Sequence, residues 1–211
     1  MNTRRMLLGG MGIAALGGAL WLAGPEAEES TRRSGATPFP NVTLYNQDGD
    51  KLRFYDDLIR NKVVALNMMY VMCEGICPTM TSNLRKLQSL LGKRMGRDVF
   101  MCSISLQPEM DSPEVLKAYA AKHRVLPGWQ FLTGSPDDIR RVRFSMGFYD
   151  PVPEVDANLA THTGMVRIGN DATRRWTMAP ALCDAERIIT TINHVDRRVV
   201  ETAYPNDRRS S

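Results

Sequence analysis

The 211-residue chain is sparing with the side chains that most often advertise chemistry: three histidines, four cysteines and 7% aromatic residues. Four cysteines are too few for a fold stapled throughout by disulfides, so a hydrophobic core has to hold the domain together. Excess charge of one sign is also lacking. The formal charge is +4, and the first 24 residues carry only Arg4 and Arg5; beyond them 25 basic residues face 23 acidic ones. With no Lys/Arg stripe interleaved with aromatics, that balance excludes a nucleic-acid footprint. Arg174-Arg175 and Arg208-Arg209 read as solvated surface. No internal repeat or low-complexity tract interrupts the chain.

One long apolar run is present. Met6 to Ala23 follows Arg4 and Arg5 and precedes acidic, polar sequence. Residues 1–27 therefore read as an export signal or membrane anchor outside the folded domain. Thr3-Arg4-Arg5-Met6-Leu7-Leu8 resembles a twin-arginine signal, and a Sec signal is the alternative. Pro25 spoils the best small-x-small cleavage sites, and the run is about the minimum length for a spanning helix. An uncleaved anchor, positive side inward, would place the domain in the periplasm. Residues 28–39, with Thr37-Pro38-Phe39 at their end, form a linker; 40–200 are the domain and 201–211 a tail.

Within the domain, Asn41 to Leu58 predicts a hairpin turning at Asp48-Gly49. Lys62 to Met72 is β-branched and apolar without alternation, as in a central strand buried on both faces. Pro78 suits the first turn of a helix whose apolar stripe is Leu84, Leu87, Leu90 and Leu91, ended by Gly92 and Gly96. Arg97 to Leu106 is the next strand. Ser112-Pro113 and Ser135-Pro136 each cap a further helix, with the short strand Gly128 to Gly134 between them. Asp150 to Thr161 reads as a loop, His162 to Met178 as a hairpin turning at Asn170-Asp171, and Leu182 to Val195 as a last amphipathic helix. The order hairpin, β, α, β, α, β, α, ββ, α indicates an α/β domain with helices layered on a mixed central sheet.

Cys73-Glu-Gly-Ile-Cys77-Pro78 falls where the central strand hands over to its helix. Unpaired N–H groups and the positive dipole end there stabilise thiolate, the nucleophilic and metal-binding form. Positions four apart share a helical face, so both sulfurs can point one way. A dithiol at this junction narrows the architecture to a thioredoxin-like fold; spacing alone leaves disulfide and metal both open. Glu74 between the cysteines should be exposed. Cys102, alternating with Val99 and Met101, reads as an inert buried hydrophobe, while Cys183 begins the last helix. A Cys102–Cys183 bridge stays open.

"CEGICP", then "SLQPEMDSPEVLKAYA", then "THTGMVRIG" together resemble the Sco/SenC family of thioredoxin-like copper proteins, from about Pro40 to the last helix. The resemblance implies Cys73, Cys77 and His162 as copper ligands, for Cu(I), Cu(II) or both, in an N-terminally anchored domain. Gln107 stands where the family commonly has Asp, which bears on a supporting or partner-facing role. Two thiolates and one imidazole form a soft three-coordinate set suited to Cu(I) and tolerable for Cu(II), whereas zinc would normally ask for a fourth protein ligand. His123 and His194 fall at predicted helix C-termini, where an imidazolium needs no further role. His162 instead starts a strand after a twelve-residue loop, with Thr161 rather than a proline before it. Met68, Met69, Met72, Met80 and Met165 gather around the motif in sequence, and read as soft packing.

The resemblance implies a metallochaperone delivering copper to an exported or membrane cuproprotein such as the binuclear copper centre of a cytochrome c oxidase subunit. The alternative is a thiol–disulfide oxidoreductase, with Cys73 and Cys77 as the redox-active pair, that reduces the target's copper-binding cysteines and is served by a thiol-reducing partner. A copper-dependent redox sensor is a third reading. Peroxidase chemistry lacks its Thr-x-x-Cys constellation.

Overall fold

The computed structural model describes residues 38–162 and 164–196; the expected signal or anchor, nearly all of the linker and the tail lie outside these. β1 (Thr43–Asn46) and β2 (Lys51–Arg53) form the expected hairpin, Tyr45 opposite Lys51. Asn46 Oδ1 accepts the N–H groups of Asp48 (3.0 Å) and Asp50 (2.8 Å), and Gly49 takes φ +84°, a left-handed value that favours glycine. The second arm stops short of its expected length. Phe54–Ile59 coils into a single π-helical turn, because Phe54, Leu58 and Ile59 are spaced to bury one helical side.

β3 (Val63–Met69) is buried at every position. It runs parallel to β4 (Val99–Ser105), which is parallel to β5 (Trp129–Gly134). β6 (Met165–Asn170) pairs antiparallel with β3, and β7 (Arg175–Pro180) with β6. The seven strands lie in the order β2-β1-β5-β4-β3-β6-β7. Strand alternation divides the core between the two faces. Val63, Ala65, Met69 and Met101 pack with α1 (Cys77–Leu91), α2 (Pro113–Lys122) and α5 (Ala185–Val195). Val64, Leu66, Met68 and Cys102 pack with the π-helical turn and α3 (Pro136–Ser145). The result is a three-layer mixed α/β domain with the hairpin at one edge.

The Ser-Pro caps form as expected: Ser112 Oγ accepts Val115 N–H (3.4 Å) and Ser135 Oγ accepts Asp138 N–H (3.1 Å). The stripe of α1 differs from its expected form. Leu90 is 50% exposed, and the inward row is Met80, Leu84, Leu87 and Leu91, joined by buried Gln88. Gln88 exchanges two hydrogen bonds with the Leu126 backbone (2.6 and 3.0 Å), which satisfies an amide that helical spacing alone would send outward.

The segment 150–161 is more ordered than a loop. It contains the single turn α4 (Pro153–Asp156) and the start of a 3₁₀ turn, Leu159–His162. His162 therefore closes a helical turn, and β6 begins three residues later. Asn158 sets that turn: its Oδ1 accepts Ala160 N–H (3.1 Å), and its carbonyl accepts both N–H (3.1 Å) and Oγ1–H (2.8 Å) of Thr161. Cys183 precedes the first residue of α5 by two positions.

Candidate metal and redox centre

The parallel strands β3 and β4 end on the same edge, and the loops that leave them carry the chemistry. After Met69 the chain turns tightly, with Cys73 N–H on Tyr70 O (3.3 Å). Cys77 is the first residue of α1 and Pro78 the second, where the missing N–H costs no helical hydrogen bond. Both cysteines are buried, and neither is in a disulfide. Burial pushes the Cys73 thiol up, but hydrogen bonds from the Cys77 thiol and backbone, the Tyr70 hydroxyl and the Gly75 backbone outweigh it and leave its pKa below the ordinary value. The same bond to Cys73 raises the pKa of Tyr70, since its proton is in use; burial and the two sulfurs act in the same sense. Glu74 is exposed, as expected.

Asp111 supports this turn from beneath. Its fully buried carboxylate accepts Val71 N–H (3.2 Å) and Ser105 Oγ–H (2.6 Å), and Ser105 Oγ in turn accepts Gln107 N–H (2.9 Å). Burial raises the Asp111 pKa in spite of both donors. Gln107 enters the network through its backbone, so an amide in place of a carboxylate leaves these bonds intact. Sequence reading passed over Asp111, Tyr70, Arg143 and Asp156. The one available signal was an acid six residues beyond a serine that ends a buried strand.

His162 is buried and faces a second cluster. Its Nε2 lies 2.7 Å from Asp156 O and 2.9 Å from Arg143 Nη1. The Arg143 guanidinium beside Asp156 holds that carboxyl down to about 2. The histidine segment nonetheless abuts the dithiol loop: a Cβ on Gly164 would stand 3.9 Å from Ile76 Cδ1, between the two cysteines in sequence. Among the described residues no group of three or more His, Cys, Asp or Glu side chains is arranged to hold a metal. The structure brings Cys73 and Cys77 together and gathers His162 with Arg143 and Asp156. Met165 and His162 share the lining of a cavity of about 170 Å³ with Tyr149 and Met178.

The remaining candidates separate cleanly. Met68, Met69 and Met80 are core, whereas Met72, next to Cys73, is 69% exposed. Burial pushes the Cys102 thiol up to about 12, in keeping with an inert role. None of the four cysteines is in a disulfide, and the open Cys102–Cys183 pairing is not made: Cys102 packs on one face of the sheet and Cys183 on the other. His123 caps the C-terminus of α2 as expected, but burial and then Lys122 lower its pKa, which favours a neutral ring, tilted against Tyr119, over an imidazolium.

The SCO1/SenC family profile matches residues 30–196. The SCO1 protein homolog of Bacillus subtilis (strain 168) is 37% identical over 93 residues, 44% of this chain and 47% of that protein, so the match spans about half the relative's length. A SCO1/SenC family lipoprotein from Bacillus anthracis str. Ames is similar in structure with a TM-score of 0.60 and 25% identity, over 74% of this chain and 94% of that one. ScoI of Arabidopsis thaliana with copper bound gives a TM-score of 0.59 at 19% identity, over 77% and 99%. These thioredoxin-like structures share the mixed sheet and its helical layers. With the profile extending over the entire described domain, the chain belongs to the SCO1/SenC family.

Proposed function

We propose that the chain binds copper as cargo through Cys73 and Cys77, with His162 as third ligand, and delivers it to an exported or membrane cuproprotein such as the binuclear copper centre of cytochrome c oxidase. The observation that carries this is the pair of buried thiols where the loop after β3 enters α1, one of them with a lowered pKa. Two adjacent thiolates fit a soft monovalent cation, and an imidazole extends the set to Cu(II). The copper in the Arabidopsis relative is in keeping with this cargo. A position outside the cytoplasm, through residues 1–27, accords with the lipoprotein description of the Bacillus anthracis relative.

A specific observation favours a second reading, thiol–disulfide exchange. The two thiols hydrogen-bond to each other, and among the described residues no third His, Cys, Asp or Glu side chain is arranged with them to hold a metal. In that reaction Cys73 and Cys77 give up two protons and two electrons as their S–S bond forms, and the recipient's disulfide is reduced to two thiols.

Anaerobic Cu(I) titration of the full chain against a competing chelator tests the first reading. One copper per chain is expected, and Cys73→Ser or Cys77→Ser should each abolish it; full affinity in either variant overturns the metal reading. His162→Ala separates the two. Cu(I) affinity should fall without vanishing, the Cu(II) sulfur-to-metal charge-transfer band should disappear, and the Cys73–Cys77 disulfide should still form. An unchanged Cu(II) spectrum with loss of target-thiol reduction would install the oxidoreductase instead.

A further inference from the structure

Arg143 sits in the last turn of α3, Asp156 ends α4 and His162 ends the 3₁₀ turn, so three short elements converge on one guanidinium. The pairing is a fork: Arg143 Nη1 donates to Asp156 Oδ1 (2.8 Å) and Nη2 to Oδ2 (2.7 Å). With 13% and 17% of the two side chains exposed, solvent screens the pair little, and two parallel bonds fix its orientation as well as its separation. Asp156 Oδ1 also accepts Asp150 N–H (2.9 Å), and Nη1 reaches Phe148 O (3.3 Å). One arginine thus ties together the chain from Phe148 to Asp156.

The His162 ring touches this clasp at one atom. Nε2 lies 2.7 Å from Asp156 O, an acceptor, and 2.9 Å from Arg143 Nη1, a donor. No single tautomer makes both hydrogen bonds. If Nε2 is bare, it accepts from Arg143 but sets its lone pair against the Asp156 carbonyl at 2.7 Å. If Nε2 carries the proton, it donates to that carbonyl, and the second Nη1 proton goes to Phe148 O. The second arrangement pairs the ring N–H with the carbonyl and both Nη1 protons with oxygens, as buried polar groups favour, and sets no lone pair against another. It leaves the lone pair on Nδ1. A ligating histidine characteristically donates its other ring N–H to a carbonyl or carboxylate, which fixes tautomer and ring orientation.

We propose that Arg143 is a positioning residue for His162: through its fork to Asp156 it holds the Asp156 carbonyl on Nε2–H, so that Nδ1 is the nitrogen offered to copper. The proposal rests on the reading of His162 as a ligand. Residues outside such a ligand tune metal affinity about 10- to 100-fold.

The test uses the full chain, ¹⁵N-labelled at histidine, in two measurements. Long-range ¹H–¹⁵N spectra of the metal-free protein should show His162 as the Nε2–H tautomer. Arg143→Met should lose that tautomer preference and weaken Cu(II) about 10- to 100-fold, leaving the Cys73–Cys77 reduction potential in place. Asp156→Asn, which keeps the volume and breaks the charged fork, should act in the same direction if Arg143→Met folds poorly. A wild-type Nδ1–H tautomer overturns the proposal, as does unchanged Cu(II) affinity in both variants while His162→Ala loses its Cu(II) band. If His162→Ala itself leaves Cu(II) untouched, the ligand reading fails, and the tautomer in the metal-free protein still decides whether the clasp exists.

Discussion

Replacing Asp111 with alanine would leave two donors without an acceptor beneath the dithiol turn, Val71 N–H and the Ser105 hydroxyl. A hydrogen bond to a charged group contributes about 1.5–3 kcal/mol, so the two together contribute about 3–6 kcal/mol. Burial works against this, because the carboxylate is fully enclosed and its pKa is raised. The net cost of Asp111→Ala should be about 2–4 kcal/mol. Asp111→Asn should cost about 1 kcal/mol, since its amide oxygen still accepts one of the two donors. The pH dependence adds a signature. A folded-state pKa above the unfolded 3.8 means that the native state binds more protons between the two values. Stability therefore falls as pH rises through that window, and Asp111→Asn should remove this fall. Urea unfolding across mildly acidic pH reads the energies, and the rate of Cys73 alkylation reads the turn, which should react faster once Val71 is released. A loss below about 1 kcal/mol in Asp111→Ala, with unchanged Cys73 alkylation, would refute the reasoning.

Three further outcomes follow from other positions. Cys102 should resist alkylation in the native protein, and because its pKa of about 12 exceeds the model-compound 9.0, stability should decline above pH 9 by up to about 1.4 kcal/mol per pH unit; Cys102→Ala should flatten that limb of a pH–urea series. At Gly128, φ is +90° and an added Cβ would meet the Gly96 backbone at 2.8 Å, so Gly128→Ala should cost at least about 2 kcal/mol; an unchanged midpoint would show that the two loops can part. Replacing Arg4 and Arg5 by lysine should block export of a twin-arginine substrate, and normal periplasmic levels would point to a Sec signal.

What could be read in advance follows the range over which each signal acts. The Ser-Pro caps, the Gly49 turn and the fully buried β3 are decided by neighbours a few positions away, and each is where its pattern puts it. Phe54–Ile59 misleads because one apolar spacing, 54, 58 and 59, serves a strand end or a helical turn, and packing decides. Leu90 misleads because a leucine-rich helix offers more apolar positions than its sheet can cover. At the candidate site, the motif picked out Cys73 and Cys77, which the structure brings together, and His162, which it gathers with Arg143 and Asp156. Asp111 is harder to read: its partner Val71 is 40 residues away, and the one local cue is its place six residues beyond the serine that ends β4. Arg143 is hidden in the same way within an arginine-rich helix whose other arginines face water.

The margins of a sheet carry unpaired backbone along which one copy of a chain can meet another. The two margins of the sheet are β2 and β7. β2 is three residues long, with Lys51 and Arg53 projecting into solvent, and β7 begins at exposed Arg175 and ends at Pro180, which has no N–H to donate. Short length, cationic side chains and a terminal proline are the devices that keep strand edges from adding a stranger. Encounters through backbone pairing are thereby discouraged along both flanks, and the end of the sheet where the cysteines emerge is left to meet its surroundings through side chains.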